Sequence, residues 1–173
     1  MNERKGQTTA VLLFLVAMIF VALMMMVLSF SETVDQNEYM ETYLNSMLIS
    51  VMRTDSGYTD DSCKLVSDLI WCGIMQPSYQ CGGGAEQCHD LATEKVTHYL
   101  ESFDVLKKNF RYFFRVEPYN FVARNEDGTP IVFEIGDPGV EEAEDRLVAS
   151  YTIYKQKGYN SYILKAYLFI TKA

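Results

Sequence analysis

The chain has 173 residues, a formal net charge of −8, 49% hydrophobic residues, four cysteines and two histidines. An acidic balance of this size speaks against a nucleic-acid partner, because phosphate binding calls for a basic surface. Setting aside about 30 N-terminal residues, the length suits one domain and is too small for two.

Residues 1–9 form a short charged leader, with Arg4-Lys5-Gly6-Gln7 set directly against an apolar run. That run, residues 10–30, carries no charge and a single hydroxyl, Ser29. At about 1.5 Å per residue it spans roughly 31 Å as a helix, the thickness of a bilayer's hydrocarbon core. A helix of Leu, Val, Ile, Met and Phe satisfies its backbone internally in lipid, whereas a helix in a soluble core normally keeps a polar stripe. A transmembrane helix is therefore expected over residues 7–30, with membrane lipid as its partner. Arg4 and Lys5 precede the run, and Glu32, Asp35, Glu38 and Glu41 follow it. By the positive-inside rule residues 1–6 are a cytoplasmic leader and residues 31–173 an extracytoplasmic head. A cleaved secretory signal would have a shorter apolar region, about 7 to 15 residues, ending in small residues. Here the run ends in Val27-Leu28-Ser29-Phe30.

The helix is expected to continue beyond the apolar run. Met40, Leu44, Met47, Leu48 and Val51 recur with helical period, leaving Glu38, Glu41, Asn45 and Arg53 for the wet side. No Gly or Pro interrupts residues 7–56, so one helix of roughly 45 residues, about 68 Å, runs to the turn formers Thr54-Asp55-Ser56-Gly57.

The junction Arg4-Lys5-Gly6-Gln7 before a retained hydrophobic helix resembles the leader of type IV pilin-like proteins, above all the archaeal class III signal peptides. The resemblance implies that a membrane-embedded prepilin peptidase cuts between Gly6 and Gln7. It also implies that the helix then packs with those of sister pilin-like subunits. Gln7 and Thr9 fit the start of the mature family pattern, but the position of its usual Glu is Val11.

Cys63, Cys72, Cys81 and Cys88 all fall on the outer side of this topology, an even number suited to two disulfides. Intervals of eight, eight and six residues suit a zinc site less well than close C-x(2–4)-C pairs would. Asp61 or Ser62 is expected to cap a short helix to about residue 71, ended by Gly73, and a second amphipathic helix is expected over about 85–108. Cys63 and Cys72 on one regular helix would lie roughly 13 Å apart, too far to bond. A helical hairpin favours Cys72 with Cys88 and Cys63 with Cys81.

The last third changes period. Residues 110–117, 119–124, 130–136, 147–155 and 160–171 are rich in β-branched and aromatic side chains and are separated by turn formers. The fold expected is α+β: a long N-terminal helix, membrane-spanning then amphipathic, with a head made of a disulfide-stapled helical hairpin and a four- to five-stranded antiparallel sheet. One sheet face packs on helices and the other presents Tyr, Lys and Arg.

No catalytic constellation emerges, and none of these patterns calls for a cofactor or a metal. His89 and His98 lie on opposite sides of a regular helix, and Glu94 is placed to pair with His98. Gly82-Gly83-Gly84 lacks the strand and the G-K-[ST] of a phosphate loop. Glu141, Glu142, Glu144 and Asp145 lack a calcium-loop spacing. Two functions follow: a structural subunit of a type IV pilus-like filament or pseudopilus, or an uncleaved single-pass anchored module whose Tyr-rich sheet face binds a partner.

Overall fold

The computed structural model describes the backbone of residues 3–84, 86–124 and 128–173; the side chains of residues 3–12, 30–37 and 105 lie outside the description. The chain divides into two compact units, Met1–Met40 and Glu41–Ala173.

The first unit is helical. Helix α1 covers Glu3–Arg53, 51 residues, and so enters the second unit. The large apolar side chains from Leu13 to Leu28 are each 52–68% exposed, on every side of the helix. Among the described residues no helix is long and apolar enough to cross a membrane. The described side chains of the apolar run are those of residues 13–29, so both its ends fall outside the description.

The second unit is α+β. Most of the stripe expected on α1 is buried: Leu44, Met47, Leu48 and Val51 are at most 3% exposed and Met52 joins them, whereas Met40 is only half-buried. The helix stops where turn chemistry takes over. The Thr54 hydroxyl donates to the Ser50 carbonyl, the Gly57 amide donates to the Asp55 carboxylate at 2.7 Å, and Gly57 adopts φ 89°. Three further helices follow, α2 (Val66–Met75), α3 (Cys88–Ser102) and α4 (Asp104–Asn109).

Three helix boundaries differ from expectation. Helix α2 begins at Val66 rather than near Ser62, because the Asp68 carboxylate accepts the Leu65 amide at 2.9 Å and so caps the first turn from within. It also runs through Gly73. A Cβ there would stand 3.0 Å from the His89 Cα, so glycine is what lets α2 and α3 approach closely. The helix expected over 85–108 is broken at Phe103, whose backbone is extended (φ −82°, ψ 101°). The Ser102 hydroxyl donates to the Tyr99 carbonyl at 2.7 Å, offering that carbonyl a partner other than the helical ladder.

Four strands, β1 (Phe110–Pro118), β2 (Phe133–Gly136), β3 (Leu147–Lys157) and β4 (Asn160–Lys172), form one antiparallel sheet in the order β2-β1-β4-β3. The segment 119–124 is not a strand. Pro118 ends β1, and the side chain of Asn120 then takes over the ladder, donating to the Ser161 carbonyl and accepting the Ile163 amide, each at 2.8 Å. With both β4 groups satisfied by one side chain, the backbone is free to leave the sheet. Strands β3 and β4 meet in a two-residue turn, Gly158-Tyr159, with Gly158 at φ 64°.

The pairing register puts Phe114, Val116, Phe133, Ala149, Ile153, Leu164, Ala166 and Leu168 on one face, all buried. Helices α2 and α3 lie against this face: Trp71 meets Tyr162 edge-on at 5.6 Å, and His89 meets Phe133 at 5.5 Å. The opposite face is partly covered by the segment around the 3-10 turn Pro138–Val140, whose Val140 packs with Phe113 and Phe169.

Candidate functional site

The densest chemistry in the second unit is the cysteine cluster. Cys63 lies in the turn before α2, Cys72 inside α2, Cys81 in the 3-10 turn Cys81–Gly83 and Cys88 at the first position of α3. Disulfides join Cys63 to Cys81 and Cys72 to Cys88. Cys63 is outside α2, so the distance along a shared helix is not what separates it from Cys72; the connectivity follows from the hairpin, which sets the end of α2 beside the start of α3. The two bridges touch. Cys81 Sγ is 3.2 Å from Cys88 Sγ, Cys63 Sγ is 3.9 Å from it, and all four sulfurs lie within 4.8 Å of one another.

Local hydrogen bonds hold the turns that carry Cys63, Cys81 and Cys88. The Cys63 amide donates to the Asp60 carbonyl and the Cys88 amide to the Tyr79 carbonyl, at 2.9 and 2.8 Å. The Asp60 carboxylate accepts from the Tyr79 hydroxyl (2.7 Å) and the Ser62 amide (2.9 Å), which tie the loop ahead of Cys81 to the turn that carries Cys63. The Tyr79 hydroxyl bond, then the Ser62 amide, holds the Asp60 carboxyl below its ordinary range, and the same bond pushes the Tyr79 phenol up. Gly82 and Gly83 both adopt positive φ, so the glycine run serves the bend after Cys81.

Beside the cluster opens a cavity of about 320 Å³, lined by Cys72, Trp71, Met75, Gln76, Lys155 and Lys157 among others. Lys155 reaches from β3 to the nearly buried Asp68 carboxylate, an ion pair that ties the sheet to α2. Trp71, Phe121 and Tyr162 pack mutually edge-on with ring centroids 5.3–6.1 Å apart. The cavity's lining is mixed in charge: Lys155 is already engaged by Asp68, and the Asp61 carboxylate shares the hollow with the Lys157 ammonium, the indole and the Gln76 amide. No sequence signal marked this cavity, because its lining joins α2 and the residues flanking it to β3, far apart in the chain.

On the second sheet face Arg115 meets three carboxylates, Glu117 and Glu141 at 3.2 and 3.3 Å and Glu134 at 3.7 Å. Asp145 accepts from the Thr171 hydroxyl at 2.9 Å. Two members of the acidic cluster thus fasten the segment 137–146 to the sheet. The aromatic character expected of this face is confined to its margins. Tyr154 and Tyr119 are 57% and 64% exposed, Lys165 stands 4.2 Å above the Tyr119 ring, and Tyr167 packs under the covering segment. The His98 ring packs beside Tyr99, and Glu94 is exposed.

Gly6 and Gln7 belong to the helical backbone of α1, and the Gln7 side chain lies outside the description. Comparison of the chain with models of known protein families, with characterised proteins and with solved structures gives no match.

Proposed function

We infer that the chain is a structural subunit of a type IV pilus-like surface filament or pseudopilus, held by its N-terminal helix and presenting the disulfide-stapled unit outside the cell. The observation that carries this reading is the helix of the first unit, whose large apolar side chains from Leu13 to Leu28 are exposed all round. A helix apolar on every side needs an apolar environment, which lipid supplies before assembly and the helices of sister subunits supply after it. The leader agrees: Arg4 and Lys5 orient the helix, and Gly6-Gln7 is the bond a prepilin peptidase would cut. The reading places residues 1–6 in the cytoplasm, residues 7–30 across the membrane and the remainder outside, where disulfides persist.

Val11, in the place of the family's usual Glu, favours a second reading, a single-pass module that keeps its leader and binds a partner through the second unit. Intact-mass measurement of the full-length protein from its own host's membranes, beside a Gly6→Val variant, separates the two. A mature chain beginning at Gln7 that reverts to the full leader in the variant is the expected result. An uncut N-terminus in both proteins would remove the filament reading.

A further inference from the structure

We propose that the four cysteines, once reduced, form a single tetrathiolate site for a thiophilic divalent cation, zinc above all. Two disulfides lying apart would open into two separate dithiols. Here they interleave, so that opening both yields one cluster with every sulfur within 4.8 Å of the others. Tetrahedral zinc with Zn–S bonds of about 2.3 Å holds its sulfurs about 3.8 Å apart, and the unbonded contacts to Cys88 Sγ, 3.2 and 3.9 Å, already bracket that spacing. Each bonded pair has only to relax outward by side-chain rotation.

The surroundings suit thiolates. Cys88 opens the 15-residue helix α3, whose positive dipole end favours a negatively charged sulfur. All four cysteines are 0–4% exposed, which would shield a bound ion from water. Cys72, the most exposed of the four, borders the cavity and gives reductant and ion a way in. The wide sequence intervals are no obstacle, because the loop 76–87 brings the third and fourth ligands to the first two.

The chemistry balances with a water-soluble phosphine as reductant. Each disulfide takes two electrons and two protons to become two thiols, while one phosphine gains an oxygen from water. Zinc then replaces the four thiol protons, forming four Zn–S bonds and releasing the protons to solvent. Metal and disulfides are thus alternative staples for the same hairpin. This inference stands independently of the filament reading.

The test uses the full chain in detergent micelles, reduced anaerobically with the phosphine and titrated with Co²⁺. The expected result is one Co²⁺ per chain, with the charge-transfer and ligand-field absorption of tetrahedral thiolate coordination, displacement by Zn²⁺, and protection of all four thiols from alkylation. Groups that merely hydrogen-bond to a ligand are worth about 10- to 100-fold in affinity, so a Cys63→Ser, Cys81→Ser double variant should bind at least about 100-fold more weakly. A reduced chain that unfolds and refolds on adding metal supports the proposal. Absence of the thiolate spectrum at one equivalent overturns it, whether or not the reduced chain keeps its far-ultraviolet circular dichroism, and so does an equally strong spectrum in the double variant.

Discussion

At Gly136 the backbone adopts φ 98°, and the Tyr112 carbonyl oxygen occupies the space a Cβ would need. The φ alone costs a non-glycine residue about 1–3 kcal/mol, and the carbonyl adds to it. Gly136→Ala should therefore lower stability clearly more than Gly158→Ala, where the surroundings are open and the left-handed backbone costs about 1–2 kcal/mol. Denaturant midpoints of the two variants check this, and equal midpoints would refute it. Tyr112 itself carries a pH effect. Burial, and then the Glu101 carboxylate, raise its phenol above the ordinary value near 10. The folded state holds that proton more tightly than the unfolded one, so the contribution is complete below pH 10 and is lost as pH rises through the raised value. Tyr112→Phe should gain stability relative to the native chain across that alkaline range and show no such change near neutrality. Parallel unfolding curves at several pH values measure it.

Among the elements, the stapled hairpin is where loss is most readily measured. The bridges close intervals of 18 and 16 residues, each worth about 3 kcal/mol of loop-closure entropy. Replacing either pair by serine should cost a similar amount, about 3 kcal/mol, and reductant should lower the melting temperature in the absence of added metal; an unchanged melting temperature would show that the bridges carry little of the fold. The hairpin and its connectivity were legible in the sequence from helical period, which set the end of one helix beside the start of the next, although the bounds of both helices were not. The buried stripe of α1 and the turn signals between strands were legible too. What was not legible depends on side chains competing with backbone. Asp68 resets the start of α2, Ser102 draws on a carbonyl before the break at Phe103, and Asn120 completes the β4 ladder and releases the chain from the sheet. Gly73 looks like a helix stop in sequence and is instead the place where two helices touch. The cavity beside Cys72 was invisible for a related reason, since only folding brings Lys155 to α2.

If the apolar run of α1 crosses a membrane as proposed, it decides the environment of the whole molecule. Phe20, at the middle of residues 10–30, is 62% exposed. An Arg at the centre of a membrane-spanning helix costs about 2.5–3.5 kcal/mol, so Phe20→Arg should reduce the fraction of chain that resists carbonate extraction from membranes. Unchanged partitioning would count against a crossing helix. The disulfides have a mechanical consequence for a chain held at one end. Both close between Cys63 and Cys88, and neither reaches a strand. Tension applied between the N-terminal helix and β4 would meet covalent resistance only in that interval. The bridges would withhold the 18-residue span from Cys63 to Cys81, roughly 60 Å of contour at about 3.4 Å per residue, while every strand could be peeled away hydrogen bond by hydrogen bond. Under load the sheet becomes the yielding spring, and the cysteine hairpin the inextensible link beside it.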